Sequence, residues 1–328
     1  MKQSAAIRPE PNTQRKAAIA AGGAIDHAGK VEIQVIPDFD LDRTIFQTLE
    51  GRLPRYIMRH RVGKEIHWDA QARQSIEARY QEAFGRAPLP QIEPEIIRFM
   101  VEECDFDVEH ADGSFLDHLY FCFEYAVKHY PQESALVQLL HSILGTGTNT
   151  FAMTADKIPA LQALLEPQVF AQVEAFPSVL RLLYVGDLRR ELWANLSRLD
   201  KLESVQMHRV IDNAPITLSA DQLWVALNHQ LIHFVDFMPV ANWHRNRSDT
   251  SYILFRDLHA FLSRAGKLDA KVEYTPPQPG PVSGEPADLG SWLTRHIPVG
   301  AAEKMAAKSV QRFSEKIGHE TAFTLNFG

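Results

Sequence analysis

The chain has 328 residues, of which 45% are hydrophobic and 23% charged, a balance typical of a globular protein with one large or two moderate domains. The net charge of −7 disfavours nucleic acid as a partner, because phosphate binding rewards a basic face. Two cysteines fit neither a disulfide framework nor a zinc knuckle, and the absence of an apolar run of about 18 residues argues against a transmembrane helix. We therefore expect a cytoplasmic protein that acts on a small molecule and does not bind a membrane. Assembly into a homo-oligomer is compatible with these numbers.

The N-terminal part of the chain is expected to begin with a flexible leader. Residues 1–30 are rich in Ala, Gly, Pro and charged residues, which bury too little apolar surface to fix a structure. The alternating, β-branched segment VEIQVI at 31–36 predicts a short strand, and DAQARQSIEARYQEAF at 69–84 predicts a helix. Residues 93–104 predict another helix.

The centre of the chain predicts a helical hairpin. The segment SFLDHLYFCFEYAVKHY at 114–130 is apolar around most of its circumference, which is typical of a buried helix, and Pro131 ends it. A second helix follows at 133–144. Further helices are predicted at 154–165, 166–176, 178–199, 219–238, 251–266 and 301–318.

These elements predict a mainly α protein in three parts. A flexible leader at 1–30 precedes a single helical domain at 31–270. Residues 271–328 then form a linker and a C-terminal helical tail, since the segment at 274–290 is rich in Pro and Gly.

Histidines on the hairpin indicate a metal site. In an antiparallel helix pair, His118 and His141 lie about one turn out of step, close enough to approach one ion. His229, His233 and Asp236 share one face of a later helix, at i, i+4 and i+7. Two histidines with one carboxylate are the ligand set favoured by non-haem Fe(II), so Fe(II) is the favoured cofactor.

The same histidines also fit an interpretation without metal. A histidine on an apolar helix face is often satisfied by another side chain, by backbone or by buried water. In that case His118 and His141 are structural, and the stripe on the later helix is a solvated face.

The hairpin resembles the core of the HD superfamily of metal-dependent enzymes. The segments DHL at 117–119, LLHSILG at 139–145 and HFVDF at 233–237 stand in the order of that family's histidine, His-Asp and final Asp. VEHADGSFLDHL at 108–119 and LLHSILGTGTNTF at 139–151 more closely resemble an HD-like family that carries His-Ser in place of His-Asp. The resemblance covers roughly residues 93–240 and implies an HD-like helical bundle.

The resemblance implies a ligand set of His118, His141 and Asp236, with His110, His229 and His233 as further candidates. Ser142 stands where the HD pattern has its metal-bridging Asp, and a neutral hydroxyl is a poor bridge between two cations. The expected centre is therefore mononuclear. The residues expected to bind substrate are Ser142, Thr146, Asp187 and Arg190.

Three functions follow as hypotheses. The first is a non-haem iron-dependent oxygenase or oxidoreductase with a mononuclear site. The second is a metal-dependent phosphohydrolase of the HD type, in which the metal activates a water. The third is a metal-free HD-like scaffold that binds a ligand or a protein.

Overall fold

A computed structural model of the protein describes residues 92–104, 115–147, 152–236, 250–272, 274 and 296–328. The predicted leader at 1–30, the predicted strand at 31–36, the predicted helix at 69–84, His110 and nearly all of the predicted linker lie outside these residues. The helices are α1 (Pro94–Glu102), α2 (Phe115–His129), α3 (Leu136–Leu140), α4 (Ile158–Leu164), α5 (Pro167–Val185), α6 (Asp187–Ala194), α7 (Ala220–Val235), α8 (Thr250–Ala265) and α9 (Val299–Ile317). The strands are β1 (Leu202–His208), β2 (Pro215–Ser219) and β3 (Thr324–Phe327).

The predicted mainly α fold is confirmed for the described residues. Where the sequence predicts a helix over 133–144, however, only α3 is α-helical. The turns on either side of it are tighter, with i to i+3 bonds such as Gln138 N–H to the Ala135 carbonyl and Ile143 N–H to the Leu140 carbonyl. His141 nevertheless lies directly after this short helix, close to His118 on the other helix of the hairpin.

The helix boundaries around α5 differ from the sequence prediction. Pro177 predicts a break after residue 176, yet α5 continues through it from Pro167 to Val185. The break falls instead at Gly186, whose φ of 91° is in the left-handed region that glycine adopts without strain. The chain therefore turns sharply between α5 and α6.

A small antiparallel sheet, which the sequence analysis did not predict, follows α6. Its strand order is β2-β1-β3; β2 alternates strictly between exposed and buried residues, and β1 alternates only from Val205 onward. The β1–β2 hairpin reverses at Asn213, which has a φ of 57° that Asn tolerates better than most residues. The alternation from Val205 to Met207 and along β2 is the sequence signal for the hairpin, but each stretch is short.

The apolar core has two parts that meet at α5. One part lies between α1, α2, α3 and α4, and includes Phe99, Leu119, Leu140 and Leu161. The other lies between α5, α7, α8 and the sheet. The N-terminal part of α2 and the C-terminal ends of α3 and α7 meet at the boundary between the two parts of the core. The candidate site lies there.

The C-terminal elements pack on the same body. Helix α9 lies against α5, and β3 pairs with β1 from Leu202 opposite Phe327 to Gln206 opposite Thr324, with a shift of register between Leu202 and Ser204. The proposed division at residue 270 stays a prediction, but the described residues after 296 are bound closely to the helical body.

Among the described residues, no single helix is both long and apolar enough to cross a membrane. Taken together, α5 and α6 have the length and composition for this, but the pair is bent by 81°.

Candidate metal centre

Three helices bring His118, His141 and His233 into one buried cluster, called here the histidine cluster. His118 lies on α2, His141 directly after α3 and His233 on α7. Their ring centroids are 4.8 to 5.1 Å apart in pairs, and the rings meet edge to face. The three residues are 1% to 7% exposed.

Local structure fixes the approach of α7. Ser219 caps this helix: its hydroxyl accepts from the Gln222 backbone N–H at 3.2 Å, and the Gln222 side chain accepts from the Ser219 N–H at 2.9 Å. The helix then runs through apolar contacts that bury every residue from Ala226 to Val235. His233 therefore enters the protein interior on a rigid element.

The Nδ1 atoms of two clustered histidines are hydrogen-bonded to oxygen. His118 Nδ1–H donates to the Asp236 carboxylate at 2.6 Å, and His141 Nδ1–H donates to the Gln138 carbonyl at 2.7 Å. An oxygen of this kind accepts a hydrogen bond, so each Nδ1 carries the proton. In the neutral form of each ring, Nε2 then holds a bare lone pair.

These two Nε2 atoms face each other at 3.2 Å. Two lone pairs at that distance repel each other, so neutral His118 and His141 do not satisfy one another. The contact becomes favourable when a cation lies between the two nitrogens: either a metal ion that both coordinate or an additional proton that they share. The geometry therefore gives a site that could hold a positive charge.

The distance between the two nitrogens fits a metal ion. Two imidazole nitrogens about 2.0–2.1 Å from one Zn²⁺ at a tetrahedral angle lie roughly 3.3–3.4 Å apart. The observed 3.2 Å is close to that edge. With His233 included, one ligand atom from each of the three histidines lies within 4.8 Å of the others, so all three could hold the same ion.

Asp236, predicted as the carboxylate ligand, lies at the C-terminal end of α7. Its Oδ2 is on the Nδ1 side of His118, whereas the nitrogen facing His141 is Nε2. This placement is that of a carboxylate which fixes the tautomer and the orientation of a ligating histidine. Direct ligation by Asp236 stays a prediction, and the geometry favours His233 as the third ligand.

His229 is buried completely but is turned away from a ligand role by its contacts with Gln138. The Gln138 side-chain NH₂ donates to His229 Nδ1 at 3.1 Å and to the His229 carbonyl at 2.7 Å. Burial lowers the pKa of His229 to about 3, so the ring is neutral at physiological pH. Gln138 thus orients His141 with its carbonyl and connects α3 to α7 with its side chain.

An aromatic wall closes one flank of the histidine cluster. The Phe176 ring lies 4.7 Å from the ring of His141 and 5.5 Å from that of His233, measured between centroids. Cys122 is also buried beside the cluster, with its Sγ 3.9 Å from His118 Nδ1. The sulfur is thus on the same side of His118 as Asp236, away from the nitrogen that faces His141.

The residues predicted to bind substrate are placed in two different regions. Ser142 is buried directly after His141, and the carbonyl of Thr146 accepts hydrogen bonds from the Arg181 guanidinium. Asp187 and Arg190 instead form an exposed ion pair with each other at the start of α6. Their roles in binding substrate stay predictions.

Two residues of the site were not predicted from sequence. Gln138 looks like a solvent-facing residue of a short helix, yet it is fully buried. Phe176 looks like one of many core aromatics. The main-chain carbonyl of a residue three positions before a candidate ligand is within reach of that ligand's ring. This spacing is the signal that could have identified Gln138. No local signal distinguishes Phe176.

Comparisons of the chain with models of known families, with curated proteins and with solved structures found no match.

Proposed function

We propose that the protein is a metalloenzyme that binds one divalent transition-metal ion through His118, His141 and His233 and acts on a small molecule. The observation that supports this proposal is the pair of Nε2 atoms 3.2 Å apart, both left without a proton by hydrogen bonds at Nδ1. Such an arrangement is unfavourable for two neutral imidazoles and favourable around a cation.

The residues around the cluster have separate tasks in this proposal. Asp236 and the Gln138 carbonyl hold the rings of His118 and His141 in the tautomer that presents Nε2. Phe176 and the neighbouring core exclude bulk water, which strengthens electrostatic interactions inside the site. When bound, the ion supplies Lewis acidity and, if it is iron, redox chemistry.

An oxidation that depends on iron is the reaction we favour. Ser142 offers no carboxylate to bridge a second cation, which the dinuclear phosphohydrolases of the HD type need. Imidazole ligands suit iron, zinc, copper and nickel alike. A three-histidine zinc centre therefore keeps hydrolysis as the alternative reaction, with an activated water as nucleophile.

The first experiment is elemental analysis of protein purified without chelators, followed by titration of the apoprotein with Fe²⁺, Zn²⁺ and Co²⁺. We expect about one equivalent of one transition metal per chain. The double change His118→Ala with His141→Ala should abolish binding with the fold retained. His296→Ala, which removes an exposed histidine, is the matched control and should bind as the wild type does.

A metal-free function is the second candidate, because a shared proton also satisfies the two Nε2 atoms, with Asp236 as its counter-charge. The cluster is then a structural device in a scaffold that binds a ligand or a protein. In that case the apoprotein takes up less than about a tenth of an equivalent of each metal. The double alanine variant would then mainly lose stability.

A further inference from the structure

Phe176 has an unusual position relative to the histidine cluster. Its ring centroid is 4.7 Å from that of His141 and 5.5 Å from that of His233, while the two histidine rings are 4.8 Å apart. The three ring centroids therefore form a triangle whose longest side joins Phe176 and His233. Phe176 is 1% exposed and occupies the flank between His141 and His233.

The backbone of Phe176 is held rigidly against α7. The Gln230 side-chain NH₂ donates to the Phe176 carbonyl at 2.9 Å, and Gln230 is fully buried. Gln230 lies one helical turn before His233 on α7, so the same helix positions both the third histidine and the Phe176 wall. Pro177 follows in the chain and further restricts the backbone.

We propose that Phe176 sets the coordination number of the metal centre by closing the space between His141 and His233 to water and small anions. An aromatic ring has no lone pair to offer a cation in its plane, and its bulk leaves no room for another ligand on that flank. The centre then keeps three imidazoles and few exchangeable positions. This inference rests on the proposed function, since it concerns the same ion.

Two expectations follow for the bound ion. A site closed on one flank leaves few positions beside the three imidazoles, so the coordination number stays low whichever of the ions suited to imidazole is bound. It also restricts exogenous ligands to the remaining flanks. Phe176 is therefore a residue that determines which small ligands reach the ion, without itself coordinating it.

The test uses Co²⁺ as the probe, because four-coordinate Co²⁺ absorbs visible light far more strongly than five- or six-coordinate Co²⁺. Wild-type protein, Phe176→Leu and the matched control Phe170→Leu are loaded with Co²⁺ and titrated with azide. Phe170 is buried on the same helix but belongs to the core around α1 to α4. The two substitutions thus remove similar bulk from α5.

We expect wild type and Phe170→Leu to show the intense four-coordinate spectrum and weak azide binding. Phe176→Leu should lose most of that intensity as a further ligand enters, and its affinity for azide should rise at least tenfold. If Phe176→Leu and Phe170→Leu give the same spectrum and the same azide affinity, Phe176 does not set the coordination number.

Two further outcomes keep the test decisive. If Phe176→Leu does not fold, X-ray absorption of the wild-type Co²⁺ protein measures the coordination number directly, and six ligands would overturn the inference. If wild type takes up no Co²⁺, Fe²⁺ or Zn²⁺ at all, the proposed metal site itself is wrong. A failure of the proposed function is thus distinguished from a failure of the role given to Phe176.

Discussion

The protein buries polar groups in two regions that differ in how their hydrogen bonds are matched. The first region, called here the arginine cluster, consists of Arg181, Thr146 and Ser314. The fully buried Arg181 donates from Nε and Nη2 to the Thr146 carbonyl and from Nη1 to the Ser314 hydroxyl, so each of these donors is paired with an acceptor. In the histidine cluster, by contrast, two nitrogen acceptors face each other at 3.2 Å. Burial of polar groups is common to both regions, but among the described residues only the second has the geometry of a group that could hold a metal ion.

The difference separates a structural role from a functional one. Arg181 connects α5 to the turn after His141 and to α9, and burial lowers the pKa of its guanidinium to about 10, so it remains charged at neutral pH. In the histidine cluster, the two Nε2 atoms 3.2 Å apart are the feature on which the proposed metal binding rests. Changes in the first region should therefore affect stability, and changes in the second should affect metal affinity.

The largest effect is expected at the arginine cluster. Arg181→Ala removes the donors to Thr146 and Ser314 and leaves a cavity, which should lower the free energy of unfolding by about 3–5 kcal/mol. Urea denaturation of the apoprotein measures this, with the exposed Arg256→Ala as the control, expected to change stability by less than about 0.5 kcal/mol. The metal affinity of the folded Arg181→Ala protein should stay at the wild-type value. A large loss of affinity would show that the two regions are coupled.

Asp236→Asn tests the histidine cluster through its metal affinity. The amide oxygen still accepts from His118 Nδ1–H, but the carboxylate charge that supports the ligating ring is gone. We expect metal affinity to fall about 10- to 100-fold, as at other histidine ligands supported by a carboxylate. Competition with a chromophoric chelator measures the dissociation constant. An affinity that collapses to that of the double His118→Ala and His141→Ala variant would instead make Asp236 a direct ligand.

A smaller effect is expected from acid in the chelator-treated apoprotein. The folded-state pKa of His229 is about 3, below its ordinary value, because burial favours the neutral ring. Below pH 6.5, His229 binds more protons in the unfolded protein than in the folded protein. Its contribution to the free energy of unfolding is therefore complete above that pH and is lost as the pH falls towards 3. The loss between pH 6.5 and pH 5 should be roughly 1.5 kcal/mol.

His229→Asn provides the comparison for the acid series, since its side-chain oxygen can accept from Gln138 as Nδ1 does and does not titrate. Unfolding by urea at pH 7, 6, 5 and 4 should show a shallower decline in this variant than in the wild type. Equal slopes would mean that His229 is not buried as a neutral ring. His319, whose pKa burial lowers to about 4, should contribute in the same direction in both proteins.

The sequence predicted much of the helical body but only part of the site. Apolar periodicity located α2, α7 and α8 nearly to the residue, and the helical hairpin brought His118 and His141 to the same level. The β1–β2 hairpin was not predicted because its strands are short and an irregularity between Leu202 and Ser204 interrupts the alternation in β1. Whether Asp236 or His233 completes the ligand set could not be read from their spacing, because both fall on one face of α7.

What the sequence by itself determined is the set of amphipathic helices and the burial of their histidines, since both follow from the spacing of apolar residues along each helix. Only the tertiary structure decided which nitrogen of each ring faces the cluster. That choice depends on oxygens contributed by other segments: Asp236 from α7 for His118, and the Gln138 carbonyl, held in place by His229 of α7, for His141. The protonation of an imidazole is set by its partners in space, and no local pattern of residues specifies them.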